Sequence, residues 1–213
     1  MFYFVKTPWI LKKLYPHCVW DIPARENNIY LTFDDGPHPV ATPFVLDMLK
    51  QYEAKATFFC IGRNVVEHNE LYRDIIDAGH LVGNHTHNHL NGWKVRDEQY
   101  INNILEAGKY IDSNLFRPPY GRITRFQVKL LRGIKNSPAN RNFKIIMWDV
   151  LSGDFDKSLT GEDCSFNVIK HVKPGSIIVF HDSEKAYPRL KVALPKILEH
   201  GKRKNFQFEA IRL

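Results

Sequence analysis

Two hydropathy regimes alternate along the chain. Short apolar runs rich in β-branched and aromatic residues recur as IYLTF (29–33), ATFFCI (56–61), LVG (81–83), KIIMW (144–148), SIIVF (176–180) and FQFEAI (206–211), with a weaker run just before Arg117. Most lack the strict polar alternation of a half-exposed strand, so they read as strands buried on both faces. Between them lie segments of helical length. The first is predicted to begin at Thr42-Pro43, a cap followed by proline in the first turn, with Phe44, Val45, Met48 and Leu49 at helical spacing. A second spans residues 64–78 and stops at Gly79. Others fall near residues 96–115, 124–135, 161–172 and 188–200, and no low-complexity linker interrupts the series.

Strand and helix alternating six or seven times predict an α/β fold of parallel strands with right-handed crossovers, either a β/α barrel or an open doubly wound sheet. Both place ligands at the carboxyl ends of the strands. Asp34-Asp35 follows the first strand, His85 the third, and Arg117 stands near the fourth. Asp149 and Asp154 follow the fifth, and His181-Asp182 the sixth. That shared register predicts one composite active site.

Composition narrows the class. A chain of 213 residues, 44% hydrophobic and 25% charged, fits one globular domain. Three scattered cysteines without a CxxC pair argue against a disulfide framework and against a cysteine zinc site. No run approaches the roughly 20 apolar residues of a membrane span. The opening MFYFVKTPWILKKLYP is apolar and basic but broken by Pro8 and Pro16, and it lacks a small-residue cleavage site. It is not read as a signal peptide, which favours the cytoplasm. Residues 1–27 are expected to form an extension packed across one end of the domain; the alternative is insertion of Phe2, Phe4, Trp9 and Ile10 at a membrane surface. The net charge of +7 is spread along the chain, densest at residues 200–204, and no nucleic-acid partner is expected. HExxH, GxSxG and GxxxxGK are absent, so zincin, serine-hydrolase and P-loop chemistry lack support.

The segment GNHTHNHL (83–90) offers His85, His87 and His89. Residues four apart lie about 13 Å apart along a strand but about 6 Å apart over a helical turn. If His85 and His89 share an ion, the strand must end near His85 and the chain must coil there, turning His87 elsewhere. The segment TFDDGP (32–37) supplies adjacent carboxylates at a neighbouring strand end. Two such charges need a positive partner, and together with the histidines they fit a two-histidine, one-carboxylate metal site with open positions.

These segments, with RPPY (117–120), residues 148–155 and VFH (179–181), resemble in order the five motifs of the polysaccharide deacetylases, the carbohydrate esterases of chitin and peptidoglycan. The resemblance covers about residues 28–213. It implies a distorted (β/α)7-type barrel in a single domain, 28–213 being catalytic, and a divalent metal, zinc foremost with cobalt as the alternative. By the same resemblance Asp35, His85 and His89 match the ligands, Asp34 the general base and His181 the general acid. Arg117 matches the residue that positions the base, Asp154 the one that orients the acid, and Tyr120 the backbone donor to the developing oxyanion. Phe155, Val179 and Pro119 are expected at the substrate. Phe155 stands where the family usually has tryptophan, Val179 where it has leucine, and Leu151 where it has aspartate. The implied activity is removal of acetyl groups, N-linked foremost with O-linked as the alternative, from a glycan or oligosaccharide; the family often works at the cell envelope. Three rivals stand beside it: a mononuclear iron oxygenase with the same metal triad, an amidohydrolase of non-sugar C–N bonds, and a non-catalytic binding protein.

Overall fold

The computed structural model describes residues 3–23, 26–136 and 141–213. The strands are, in chain order, β1 (Cys18–Val19), β2 (Asn28–Asp34), β3 (Ala56–Cys60), β4 (Leu81–Asn84), β5 (Leu115–Phe116), β6 (Lys135–Asn136), β7 (Arg141–Asn142), β8 (Lys144–Ile146), β9 (Val150–Leu151), β10 (Ile177–His181) and β11 (Gln207–Phe208). The antiparallel pair β6–β7 stands apart. The others form one sheet in the order β1-β8-β5-β4-β3-β2-β10-β9, with β11 joining the start of β2, and every ladder in it is parallel. The sheet curls into a half-barrel with helices outside, the single-domain barrel expected.

The helices are α1 (Trp9–Leu14), α2 (Ala41–Gln51), α3 (Gly62–Glu67), α4 (Asn69–Asp77), α5 (Asp97–Ala107), α6 (Arg125–Gly133), α7 (Gly161–His171) and α8 (Tyr187–Arg203). Strand alternation assigns the two faces of the sheet. Leu31, Phe33, Phe58, Ile178 and Phe180 point outward and pack with Leu190, Leu194 and Leu198 of α8 in the main core. Thr32, Asp34, Val179 and His181 take the inner face. The β2–β10 register pairs Thr32 with Val179 and Asp34 with His181, so two candidate catalytic side chains become neighbours through strand pairing.

Several element boundaries differ from the sequence expectation. The chain over 64–78 forms α3 and α4, because His68 leaves helical geometry at φ −125, ψ 51. Gly79 does end the second of them, at φ +78. Thr42 lies inside α2 instead of capping it; its hydroxyl accepts from the His38 N–H at 2.8 Å and donates to Asp182 at 2.5 Å. By contrast, α6 and α7 begin with capping boxes at Thr124 and Thr160.

The N-terminal segment joins the sheet. Lys6 bridges Val150 antiparallel, and Leu151 N–H donates to the Val5 carbonyl at 2.8 Å. The same segment continues as β1 along β8, and Asp21 bridges Ser176. Phe4, Trp9 and Ile10 remain exposed; Phe2 lies outside the described residues. No helix among the described residues is long and apolar enough to cross a membrane.

Candidate active site

Two strand ends build the candidate metal-ligand group. β2 ends at Asp34, and Asp35 follows in the left-handed region at φ 82. β4 ends at Asn84, and Thr86 and His89 are also left-handed, at φ 64 and φ 55. These turns coil the chain so that the rings of His85 and His89 come to 5.1 Å. Asn84 fixes the coil: its side-chain oxygen accepts from Thr86 N–H at 2.8 Å, and its amide donates to the Ile104 carbonyl at 2.9 Å. Asn103 Oδ1 accepts from the backbone of His87 and Asn88. His87 is thereby turned outward, against Tyr110.

One ligand atom from each of Asp35, His85 and His89 lies within 4.8 Å of the other two. Asp35 Oδ1 is 3.2 Å from His89 Nε2 and 3.7 Å from His85 Nε2. That oxygen is buried without a hydrogen bond, as an atom reserved for a cation would be. His85 Nδ1 lies 2.8 Å from the Arg117 carbonyl, and donation there presents Nε2 to the group. Burial pushes the His85 ring down to about 4, so it is a neutral donor. Burial opposes the charge on Asp35, but His89, His181 and His85 outweigh it and hold the carboxyl below its ordinary range. An anionic carboxylate and a neutral imidazole are the protonation states a divalent ion requires.

Beside this group sits a buried ion pair. Arg117 is the largest of the fully buried side chains. Its Nη1 donates to Asp34 Oδ1 at 2.7 Å and to Thr32 Oγ1 at 2.6 Å. Nε and Nη2 donate to the carbonyls of Ile146 and Met147 at 3.2 and 3.0 Å. Its guanidinium lies 4.1 Å from the centroid of Phe59. Phe59 occupies that place because Gly83 leaves room; a Cβ there would stand 2.5 Å from the ring. Desolvation lowers Arg117 and the neighbouring Asp34 opposes it, and pairing offsets part of the cost of burying the charge.

The third group is His181–Asp154. Asp154 accepts twice from one residue: Oδ2 takes the His181 backbone N–H at 2.7 Å, and Oδ1 faces His181 Nδ1 at 2.7 Å. Burial would lower His181, yet Asp154 pushes it up to about 10, which keeps the ring protonated at neutral pH. Phe155 stands edge-on to His181 at 5.3 Å. Val179 is buried beneath His181 in β10, and Pro119 is buried too. Tyr120 is left-handed at φ 60 and exposed, its ring 4.6 Å from that of His89. Leu151 is buried in β9.

One strand-end residue goes elsewhere. Asp149 binds Lys6, Lys12 (2.9 Å) and Ser176 (2.7 Å), anchoring the N-terminal segment and taking no part in the metal-ligand group. Two further residues shape the site: Asp182, whose strand-end position was visible in the sequence but whose partners were not, and Asn64, which had no signal there. Asp182 accepts from Gly36 N–H at 3.0 Å and from Thr42, clamping the turn after Asp35. Burial pushes its carboxyl up to about 8, against those hydrogen bonds and with help from Asp35. Asn64 donates to the Asp35 carbonyl at 2.7 Å.

The profile described as polysaccharide deacetylase matches residues 21–135, more than half of the chain. The chain belongs to that family. It is 35% identical over 208 residues to a peptidoglycan-N-acetylglucosamine deacetylase of Bacillus cereus, covering 94% of each chain. It is 33% identical over 168 residues to a chitooligosaccharide deacetylase of Azorhizobium caulinodans, covering 76% of each. The solved structure of the Bc1960 peptidoglycan N-acetylglucosamine deacetylase, in complex with 4-naphthalen-1-yl-N-oxidanyl-benzamide, superposes with a TM-score of 0.84 at 32% identity, covering 96% of this chain and 95% of that one. The chain is therefore a deacetylase-family hydrolase, and its barrel mouth holds three side chains, Asp35, His85 and His89, that could bind a metal ion.

Proposed function

We propose that this deacetylase hydrolyses the N-acetyl group of N-acetylglucosamine units in a glycan, using zinc, with cobalt as the substitute ion. One observation carries the reading: Asp35, His85 and His89 converge within 4.8 Å, flanked by a carboxylate held on an arginine and a histidine held on a carboxylate. The first suits a proton acceptor and the second a proton donor. Relatives named for peptidoglycan and chitooligosaccharide deacetylation support an acetylated glycan as substrate.

Asp35, His85 and His89 would hold the divalent ion, which when bound would supply Lewis acidity, lowering the pKa of water to about 7 and polarising an acyl oxygen. Asp34, fixed through Oδ1 by Arg117, accepts at its second oxygen the proton released as water attacks the amide carbon. The Tyr120 backbone N–H is the donor assigned to the developing oxyanion. His181, charged and steadied at Nδ1 by Asp154, gives its Nε2 proton to the departing amine. Pro119 and Phe155 border the acetyl group, with Val179 beneath them.

The test is acetate release from N-acetylglucosamine oligomers and peptidoglycan fragments by protein reconstituted with zinc or cobalt. Asp34→Asn should abolish turnover and keep the metal; His85→Ala should lose both. Full activity in Asp34→Asn would refute the base. Iron with oxygen-dependent turnover and no acetate would refute the reaction class.

A further inference from the structure

The general-acid pair rests on a residue far away in sequence. Phe155 meets His181 on one side at 5.3 Å and Tyr3 on another at 5.1 Å, edge-on in both cases. Tyr3 Oη donates to Asp156 Oδ2 at 3.0 Å. The same hydroxyl lies 3.1 Å from where a Cβ on Gly153 would stand, and Gly153 is left-handed at φ 83. Tyr3 thus touches the residues before and after Asp154–Phe155, closing over the turn that carries the carboxylate of the acid pair. It is itself held, because the next residues run along β9: Leu151 N–H donates to the Val5 carbonyl, Thr7 N–H to the Asp149 carbonyl at 3.0 Å, and Thr7 Oγ1 to the Trp148 carbonyl at 2.8 Å. Lys6 adds its ion pair with Asp149.

We propose that Tyr3 is a positioning residue for the His181–Asp154 pair, acting by ring packing through Phe155. The inference rests on His181 being the general acid. Asp154 must meet both the backbone N–H and Nδ1 of one histidine, each at 2.7 Å. Such a double contact tolerates little displacement, and misplacement near 1 Å can cost roughly a hundredfold in rate. Phe155 forms one wall of the histidine, and an aromatic edge pair needs both rings to define its place. The hydroxyl bond to Asp156 lies at the turn's outer end, so the ring carries the effect.

The experiment compares the metal-loaded full chain with its Tyr3→Ala, Tyr3→Phe and His181→Ala variants on N-acetylglucosamine oligomers. In Tyr3→Ala, kcat is expected to fall about tenfold with KM nearly unchanged. The alkaline limb of its pH–rate profile should move to lower pH, as the Asp154 contact that holds the histidine proton loosens. Tyr3→Phe should stay within about twofold of the parent. An unchanged profile in Tyr3→Ala, a loss uniform across pH, or a Tyr3→Phe variant as impaired as Tyr3→Ala would each overturn the proposal. If His181→Ala kept its activity, the acid assignment itself would fall, which separates the two failures. Should Tyr3→Ala not fold, Tyr3→Leu, which keeps bulk without the aromatic edge, carries the same comparison.

Discussion

Replacing Arg117 with Met keeps a side chain of similar reach in the barrel and removes its charge and all its donors. Four acceptors lose their partner together: Asp34 Oδ1, Thr32 Oγ1 and the carbonyls of Ile146 and Met147. Leaving one member of a buried ion pair uncompensated costs about 3–5 kcal/mol. Each orphaned carbonyl adds roughly 1–3 kcal/mol where water cannot reach it. A loss of about 5–11 kcal/mol follows, against a total of about 5–15 kcal/mol for a domain, so the variant should be marginal or unfolded at room temperature. His85 keeps its partner, because it bonds the Arg117 carbonyl, which the substitution leaves in place. The assay is urea unfolding of the parent, Arg117→Met, Asp34→Asn and the double variant. In the double variant the buried charge is gone, so about 2–4 kcal/mol should return relative to Arg117→Met. Equal stability of Arg117→Met and the double variant would refute the idea that Asp34's charge is what Arg117 compensates.

Three further outcomes follow from the site. His181 is raised to about 10, so the proton the leaving group needs is present at neutral pH and lost as pH rises towards that value; kcat/KM should fall on the alkaline side. In Asp154→Asn that limb should move towards an ordinary histidine value of about 6.5, and an unmoved limb would break the link between the two residues. His87→Ala should bind metal as the parent does, whereas His89→Ala should lose about 10- to 100-fold or more in affinity, checked by competition with a chromogenic chelator. Gly36→Ala places a Cβ 2.0 Å from Asp182 Oδ2; it should cost about 1–3 kcal/mol and cut activity by displacing the Asp34–Asp35 turn, and a fully active variant would show that the clamp is dispensable.

The alternation of apolar runs with helical segments was enough to foresee parallel strands and a site at their carboxyl ends, because both consequences follow from burial and chain direction alone. The separation of His87 from His85 and His89 was legible for a similar reason: spacing of four demands a coil, and a coil cannot bring all three rings inward. Asp149 misled because a strand-end position says where a residue sits and not which way it faces. Lys6 and Lys12, over 130 residues earlier, claim it. Thr42 misled through local chemistry. A threonine before proline looks like a cap, but a buried Asp182 took its hydroxyl. Neither partner can be found without knowing which strands are neighbours.

Backbone geometry at the site carries a further argument. Among the described residues, six non-glycine residues have positive φ, and four of them lie at the candidate metal site: Asp35 and His89 belong to it, and Thr86 and Tyr120 stand beside them. Each such conformation costs of order 1–3 kcal/mol, and hydrogen bonds made elsewhere must hold it. Asn64 and the Asp182 clamp hold the turn at Asp35, and Asn84 holds Thr86. Those restraints come from the chain's own side chains and backbone. For the proposed hydrolysis, turns held in this way would leave little reorganisation for the moment of reaction. On this view the polar residues behind the turns matter as much as the ligands. Loosening Asn84 should weaken metal binding although it touches no ion, because the coil that brings His85 to His89 would lose the side chain that ties Thr86 to the Ile104 carbonyl, leaving Asn103 as its remaining side-chain clamp from α5.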